Sequence, residues 1–232
     1  MNKPDLVLLH GALGAQEQFA PLLPLLEPHF RLHTLDFEGH GHAPMSGEPF
    51  VLDRFVQSVC ELLDAEGISD ANLFGYSKGG YVGCALALAH PDRVRRLATL
   101  GTKYGWTQED AQRETGFLVP SKMAEKIPQF VELLRERHVA SGWEAVVERS
   151  AEFMWALADS GGITKERVSG LEMPVRVMVG DRDRTASVPE SMELARALPK
   201  GELEVLPATP HPFERVPLQR LATSLHEVFA QP

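Results

Sequence analysis

Apolar residues are distributed along this chain in two alternating textures. Short, nearly unbroken apolar runs occur at Leu6–Leu9, Arg31–Leu35, Ala71–Phe74, Val94–Leu100, Pro174–Gly180 and Leu203–Leu206. Runs of this length suit strands buried on both faces of a parallel sheet. Between them lie segments with a helical period. Phe50–Ala65 repeats apolar residues at Phe55, Val56, Val59, Leu62 and Leu63, with Asp53, Glu61 and Asp64 at charged positions. Tyr81–Leu88 is rich in small residues and is stopped by Pro91, a further helix is predicted from about Val188 to Leu198, and the last one starts near Pro217, a favourable first-turn proline. The proline-punctuated stretch Gln16–Leu26 is predicted helical as well. Strands alternating with helices argue for an α/β fold with a mostly parallel sheet of about six strands.

The texture changes between Thr102 and Gly170. This stretch carries Trp106, Trp143 and Trp155, many charges, and helical periods at Phe130, Leu133, Leu134 and at Val146, Val147, Met154, but no convincing strand. It predicts a helical cap inserted at 102–170 into a core formed by 1–101 and 171–232.

Composition narrows the picture further. With 232 residues and 44% hydrophobic content, the chain suffices for one well-buried core but is short for two independent domains. A net charge of -9 disfavours nucleic acid or an anionic membrane surface as the main partner. Cys60 and Cys84 sit in apolar helical patterns and read as buried thiols. Met1–Asp5 leads directly into the first strand without a signal-like region, and no 18-residue apolar run follows. The expectation is a cytoplasmic protein without membrane insertion, acting on a small molecule, with a homodimer left open.

The chemistry concentrates at Gly75-Tyr76-Ser77-Lys78-Gly79-Gly80, between a predicted strand and a small-residue helix. A serine on so sharp a turn presents its hydroxyl at the end of a sheet. Because that hydroxyl is a weak nucleophile at neutral pH, it needs a base and an acid to orient the base. Reactive groups in open α/β sheets gather at the carboxyl ends of strands. Ser77, Asp183 and His211 each follow a predicted strand, in that order.

This order, with His10-Gly11-Ala12, Asp36-x-x-Gly39-His40-Gly41, Gly75-x-Ser77-x-Gly79 and Gly180-x-x-Asp183, resembles the α/β-hydrolase family over nearly the whole chain outside the cap. The stretch from Phe74 to Trp106, with Thr209-Pro210-His211-Pro212, is most similar to a subgroup of small bacterial hydrolases. The resemblance implies an α/β-hydrolase fold with Ser77 as nucleophile, His211 as base and Asp183 as acid. Its spacing after Gly180 selects Asp183 and leaves Asp181 as a turn-stabilising carboxylate. Thr102-Lys103, after the strand before the cap, offers no rival acid. His211 departs from the usual pattern, with Pro210 where many relatives have Gly.

The resemblance also implies an oxyanion hole from the backbone N–H groups of Ala12 and Lys78, with His10 bracing the first loop. The expected pocket residues are Leu13, Tyr76, Trp106 and Trp155. No cofactor or metal is expected, since Asp36, Glu38, His40 and His42 fall in a loop that is structural in the family. Glu132, Glu136, Glu144 and Glu148 read as a solvated cap face. The Lys78 side chain has two readings, a solvated or ion-paired lysine and a contact to an anionic substrate group. Together these point to a cofactor-free, carboxylesterase-like serine hydrolase. The alternatives are a lyase, or a carbon-carbon or thioester hydrolase, using the same residues on a carboxylated substrate, and a non-catalytic binding protein.

Overall fold

The computed structural model describes residues 3–230. Six strands, β1 (Asp5–Leu9), β2 (Arg31–Thr34), β3 (Ala71–Tyr76), β4 (Val94–Leu100), β5 (Val175–Gly180) and β6 (Gly201–Leu206), form one sheet in the order β2-β1-β3-β4-β5-β6. Every neighbouring pair is parallel. The chain steps outward from β1 to β2 and then returns to β3 on the other side of β1, so the connections diverge between β1 and β3. A crevice outside the carboxyl ends of the strands forms at such a switch point.

The two-residue period of the strands splits their side chains into two layers. Val7, Leu9 and Leu73 join a cluster with Phe55 and Val59 of α2 (Leu52–Ala65), Val82 and Leu86 of α3 (Lys78–Ala89), and Leu194 of α9 (Val188–Ala197). Leu6, Leu8 and Phe74 face the opposite way, onto Leu26 of α1 (Leu23–Leu26) and Leu221 and Leu225 of α10 (Leu218–Phe229). Both faces are therefore covered over the central strands β1, β3, β4 and β5, whereas the edge strands β2 and β6 stay partly exposed despite their apolar runs.

Between β4 and β5 the chain forms five helices: α4 (Gln108–Thr115), α5 (Pro120–Lys126), α6 (Pro128–Arg137), α7 (Trp143–Ser160) and α8 (Lys165–Val168). Met123, Val131, Leu134, Trp143, Val146 and Val147 give this insertion an apolar cluster of its own, which also takes in Leu13 from the core. Its two ends are tied together by an antiparallel bridge between Gly105 and Gly162 and by the Ile163 N–H donating to the Tyr104 carbonyl at 2.9 Å. Among the described residues, no helix is long and apolar enough to cross a membrane.

The proline-punctuated helical stretch expected at 16–26 is split in two. It forms a 3-10 turn over Gln16–Phe19 and then the one-turn helix α1. Pro21 and Pro24 remove backbone donors, so a continuous ladder cannot form.

Helix α3 lies unusually close to the sheet. A Cβ on Gly79 would sit 2.0 Å from the Leu9 carbonyl oxygen, a rigid backbone atom. Gly79→Ala is therefore expected to lower stability by about 3 kcal/mol, the upper end of the usual cost of overpacking. Gly47→Ala, where an added Cβ meets nothing within 4 Å, serves as the near-neutral control in the same urea titrations.

Candidate active site

Ser77 stands at the junction of β3 and α3 with φ 52°, in the left-handed region that a residue with a side chain seldom occupies. Strain of about 1–3 kcal/mol is retained there only where the surroundings over-determine the backbone. They do so here. The Ser77 N–H donates to the Leu100 carbonyl at 2.8 Å, and its own carbonyl accepts from the N–H groups of Gly80 and Tyr81 and from the Thr102 hydroxyl at 3.0 Å. Gly75 and Gly80 meet so closely across the turn that a Cβ on Gly75 would fall 2.4 Å from the Gly80 backbone.

Three loops at the carboxyl ends of the strands bring polar groups to this serine. His211 accepts from the Ser77 hydroxyl at its Nε2 (3.2 Å) and donates from Nδ1 to Oδ2 of Asp183 (2.8 Å). Asp183 is almost fully buried, and its other oxygen accepts from the Thr185 and Ala186 N–H groups at 2.8 and 2.9 Å. Two fixed donors hold that carboxylate in one orientation, which in turn fixes the imidazole tautomer. Asp181 does something different, accepting from the Thr209 N–H at 3.2 Å. The loop carrying His211 is held by Tyr76, whose hydroxyl donates to the His211 carbonyl at 2.7 Å.

The first loop packs against the same serine. His10 donates from Nδ1 to the Gly11 carbonyl (2.8 Å) and accepts the Phe37 N–H at Nε2 (3.1 Å). Gly11–Gly14 closes as a turn through the Gly14 N–H donating to the Gly11 carbonyl at 3.2 Å, and Leu13 within it has φ 58°. The N–H groups of Ala12 and of Lys78, at the first position of α3, have no hydrogen-bond partner among the described residues. At the start of an α-helix, such an N–H also benefits from the positive end of the helix dipole.

These groups open onto a cavity of about 620 Å³. Ala12, Leu13, Tyr76, Ser77, Lys78, Trp106 and His211 line it, as do Phe50, Phe153, Met154 and Leu157, none of which the sequence marks as a pocket residue. Phe153, Met154 and Leu157 share one face of α7 at helical spacing; a periodic apolar stripe is visible in sequence, but which neighbour it faces is not. Trp155 corrects the expectation: it is 38% exposed and lies outside the lining. One residue beyond Met154 on a helix, it is rotated by about 100° towards solvent.

Lys78 overturns the solvated and ion-paired reading. It is only 8% exposed, and its Nζ donates to His40 Nε2 at 3.0 Å, within 4.9 Å of the Phe37 ring centre and 4.5 Å of the Phe55 ring centre. Among the described residues no carboxylate pairs with it. Burial without a compensating anion holds its amine well below the ordinary lysine range. His40 donates in turn from Nδ1 to the Glu38 carbonyl at 2.9 Å. Asp36 accepts from the Gln16 and His42 N–H groups at 2.7 and 3.0 Å, so this loop is braced internally. Glu132, Glu136, Glu144 and Glu148 are all exposed.

A family profile described as the alpha/beta hydrolase fold matches residues 4–137. The pimeloyl-[acyl-carrier protein] methyl ester esterase of Aeromonas hydrophila is 35% identical over 100 residues, covering 43% of this chain and 38% of the relative. The protein of the same name in Aliivibrio fischeri is 26% identical over 229 residues, covering 90% of this chain and 87% of the relative. Several of these curated relatives match over about half of their length or less. The crystal structure of a hydrolase from Pseudomonas aeruginosa PA01 superposes with a TM-score of 0.78 at 26% identity, covering 99% of this chain and 91% of that one.

Three buried histidines around the first two loops set a pH dependence. Burial, and next the nearby Lys78, keeps His10 and His40 well below the ordinary imidazole range. His138 is lowered to about 4, chiefly by burial, with the Leu13 carbonyl opposing and Arg137 reinforcing the shift. A histidine with a depressed folded pKa binds fewer protons folded than unfolded, so stability rises with pH between the two values. Unfolding free energy should therefore fall as pH drops from 6.5 towards 4. In denaturant titrations across that range, His138→Gln should show a shallower slope than the unsubstituted chain.

Proposed function

We propose that this chain, which belongs to the alpha/beta hydrolase fold family, is a cofactor-free serine hydrolase cleaving a small carboxylic ester. The observation that carries the reading is the continuous hydrogen-bonded chain from Ser77 through His211 to Asp183, ending at a largely apolar cavity. The relatives named as methyl ester esterases support an ester as the bond broken.

In this reading Ser77 Oγ attacks the ester carbonyl carbon while its proton passes to His211 Nε2. The carbonyl π pair moves onto oxygen, and the N–H groups of Ala12 and Lys78 stabilise the resulting charge at the head of α3. Collapse breaks the bond to the alkoxy group, which leaves with the proton from His211, and the acyl group stays on Ser77. Water then repeats the sequence: His211 takes its proton, hydroxide adds to the acyl carbon, and Ser77 departs with the proton returned. Asp183 keeps the imidazole in the tautomer that accepts at Nε2 and stabilises the imidazolium. Nucleophile, base and charge stabilisation all come from the chain, so the reaction calls for no cofactor.

Residues 102–170 act as the cap. Trp106, Phe130 and Leu133 of this segment, with Phe153, Met154 and Leu157, give the acyl chain an apolar wall. A volume of about 620 Å³ falls in the usual range for a small-molecule site. The reading based on a carboxylated substrate loses its main support, because the Lys78 amine is held among His40, Phe37 and Phe55.

Ser77→Ala should abolish covalent labelling by a fluorophosphonate probe and turnover of p-nitrophenyl esters, and Asp183→Asn should cut kcat by about 10⁴-fold. Labelling that persists in Ser77→Ala would overturn the assignment. Across p-nitrophenyl acetate, butyrate and hexanoate, kcat/KM should rise by roughly fourfold per buried methylene.

A further inference from the structure

Leu13 is the second residue in this site held in the left-handed region, at φ 58°, where glycine or asparagine would normally serve a turn. A bulky residue stays there only if something outside the turn compels it. That compulsion comes from the helical insertion. The Leu13 carbonyl accepts two hydrogen bonds, from Nη1 of Arg137 and from Nε2 of His138, each at 3.0 Å. Its side chain is buried in the insertion's own cluster, with Met123, Val131, Leu134 and Trp143.

Both donors are themselves fixed. His138 accepts the Gly41 N–H at Nδ1 (3.1 Å), so it bridges the first and second loops and keeps the neutral tautomer that can donate to Leu13. Arg137 is buried at the end of α6, with Glu17 and Glu214 each 3.5 Å from its guanidinium. Glu214 follows His211 by three residues. Arg137 thus ties the loop bearing Ala12 to the loop bearing His211.

We infer that Arg137 and His138 are positioning residues: by holding Leu13 left-handed, the insertion aims the Ala12 N–H at the developing oxyanion. The cap then does more than shape the pocket; it completes the catalytic geometry. Leu13 is the hinge of this coupling, since Ala12 precedes it inside the Gly11–Gly14 turn. The inference rests on the reading of Ala12 as an oxyanion donor, and its structural half can be read without turnover.

The test uses Arg137→Met in the full chain, with Arg137→Lys as the conservative variant. Removal of a whole oxyanion donor costs about 10²–10³-fold in kcat, and a misdirected one should cost about 10–100-fold. KM for p-nitrophenyl butyrate should change less than about threefold, and affinity for a boronic acid that forms a serine adduct should fall in step with kcat. Arg137→Lys should recover most of the loss. In a Leu13→Gly background, where the left-handed turn needs no restraint, Arg137→Met should cost several-fold less. Hydrogen exchange at the Gly14 amide, which is bonded to Gly11, should accelerate by at least tenfold in Arg137→Met. Unchanged Gly14 exchange in a folded Arg137→Met variant overturns the clamp whatever the activity. Accelerated exchange with kcat retained within twofold overturns its catalytic role. Absence of a Ser77 adduct in the unsubstituted chain would instead refute the hydrolase reading and leave the exchange result to decide the clamp. If Arg137→Met does not fold, His138→Phe removes the second donor while keeping a ring, and is read by the same measurements.

Discussion

The interaction on which the rest of this structure depends is the contact between the start of α3 and the central strands, which holds Ser77 in a left-handed turn. Glycine at 75, 79 and 80 lets backbone meet backbone at distances no Cβ would permit. Hydrogen bonds from Ser77 to Leu100 and from Thr102 to Ser77 then lock the turn against β4. Once that serine is fixed, the position of everything that can serve it is constrained. Asp183 and His211 come from the loops following β5 and β6, which in an all-parallel sheet open at the same end as the turn after β3.

A second strained turn, at Leu13, lies in the loop that packs beside Ser77, and both residues line the cavity. The two are stabilised differently. Ser77 is held mainly by backbone hydrogen bonds and close packing, with one side-chain bond from the Thr102 hydroxyl, whereas the Leu13 carbonyl is held by two side chains from the insertion. The cavity therefore joins two parts of the chain that are far apart in sequence, with Arg137 and His138 bonded to the Leu13 carbonyl. His10, His40, His138 and Lys78 form a group of buried bases next to these turns, each with its proton affinity lowered by burial. The Lys78 amine meets His40 rather than a carboxylate there, so a hydrogen bond stands in place of an ion pair.

Much of the fold was legible because a strand buried on both faces must read as a continuous apolar run, and a helix stopped by proline must end near it. The six strands fall where those runs fall, with β6 starting two residues earlier, at Gly201. The stretch 16–26 is helical as its apolar spacing suggests, but its prolines divide it into a 3-10 turn and a one-turn helix, a division the spacing alone does not place. Trp106 and Trp155 looked alike in sequence, yet only Trp106 lines the cavity. A tryptophan in an amphipathic helix reports burial only once the orientation of that helix is known.

The sequence by itself determined the order of strands and helices, the sharp turn at Ser77, and the identity of the residues able to reach it, since these follow from local spacing, glycine placement and strand-end position. Only the tertiary structure decided where the Lys78 amine goes, which side of α7 faces the cavity, and that α6 grips the Leu13 carbonyl. Those outcomes are set by how separate helices pack against the sheet. A side chain's partner 124 positions away, as for Arg137 and Leu13, leaves no trace in the local pattern of either segment.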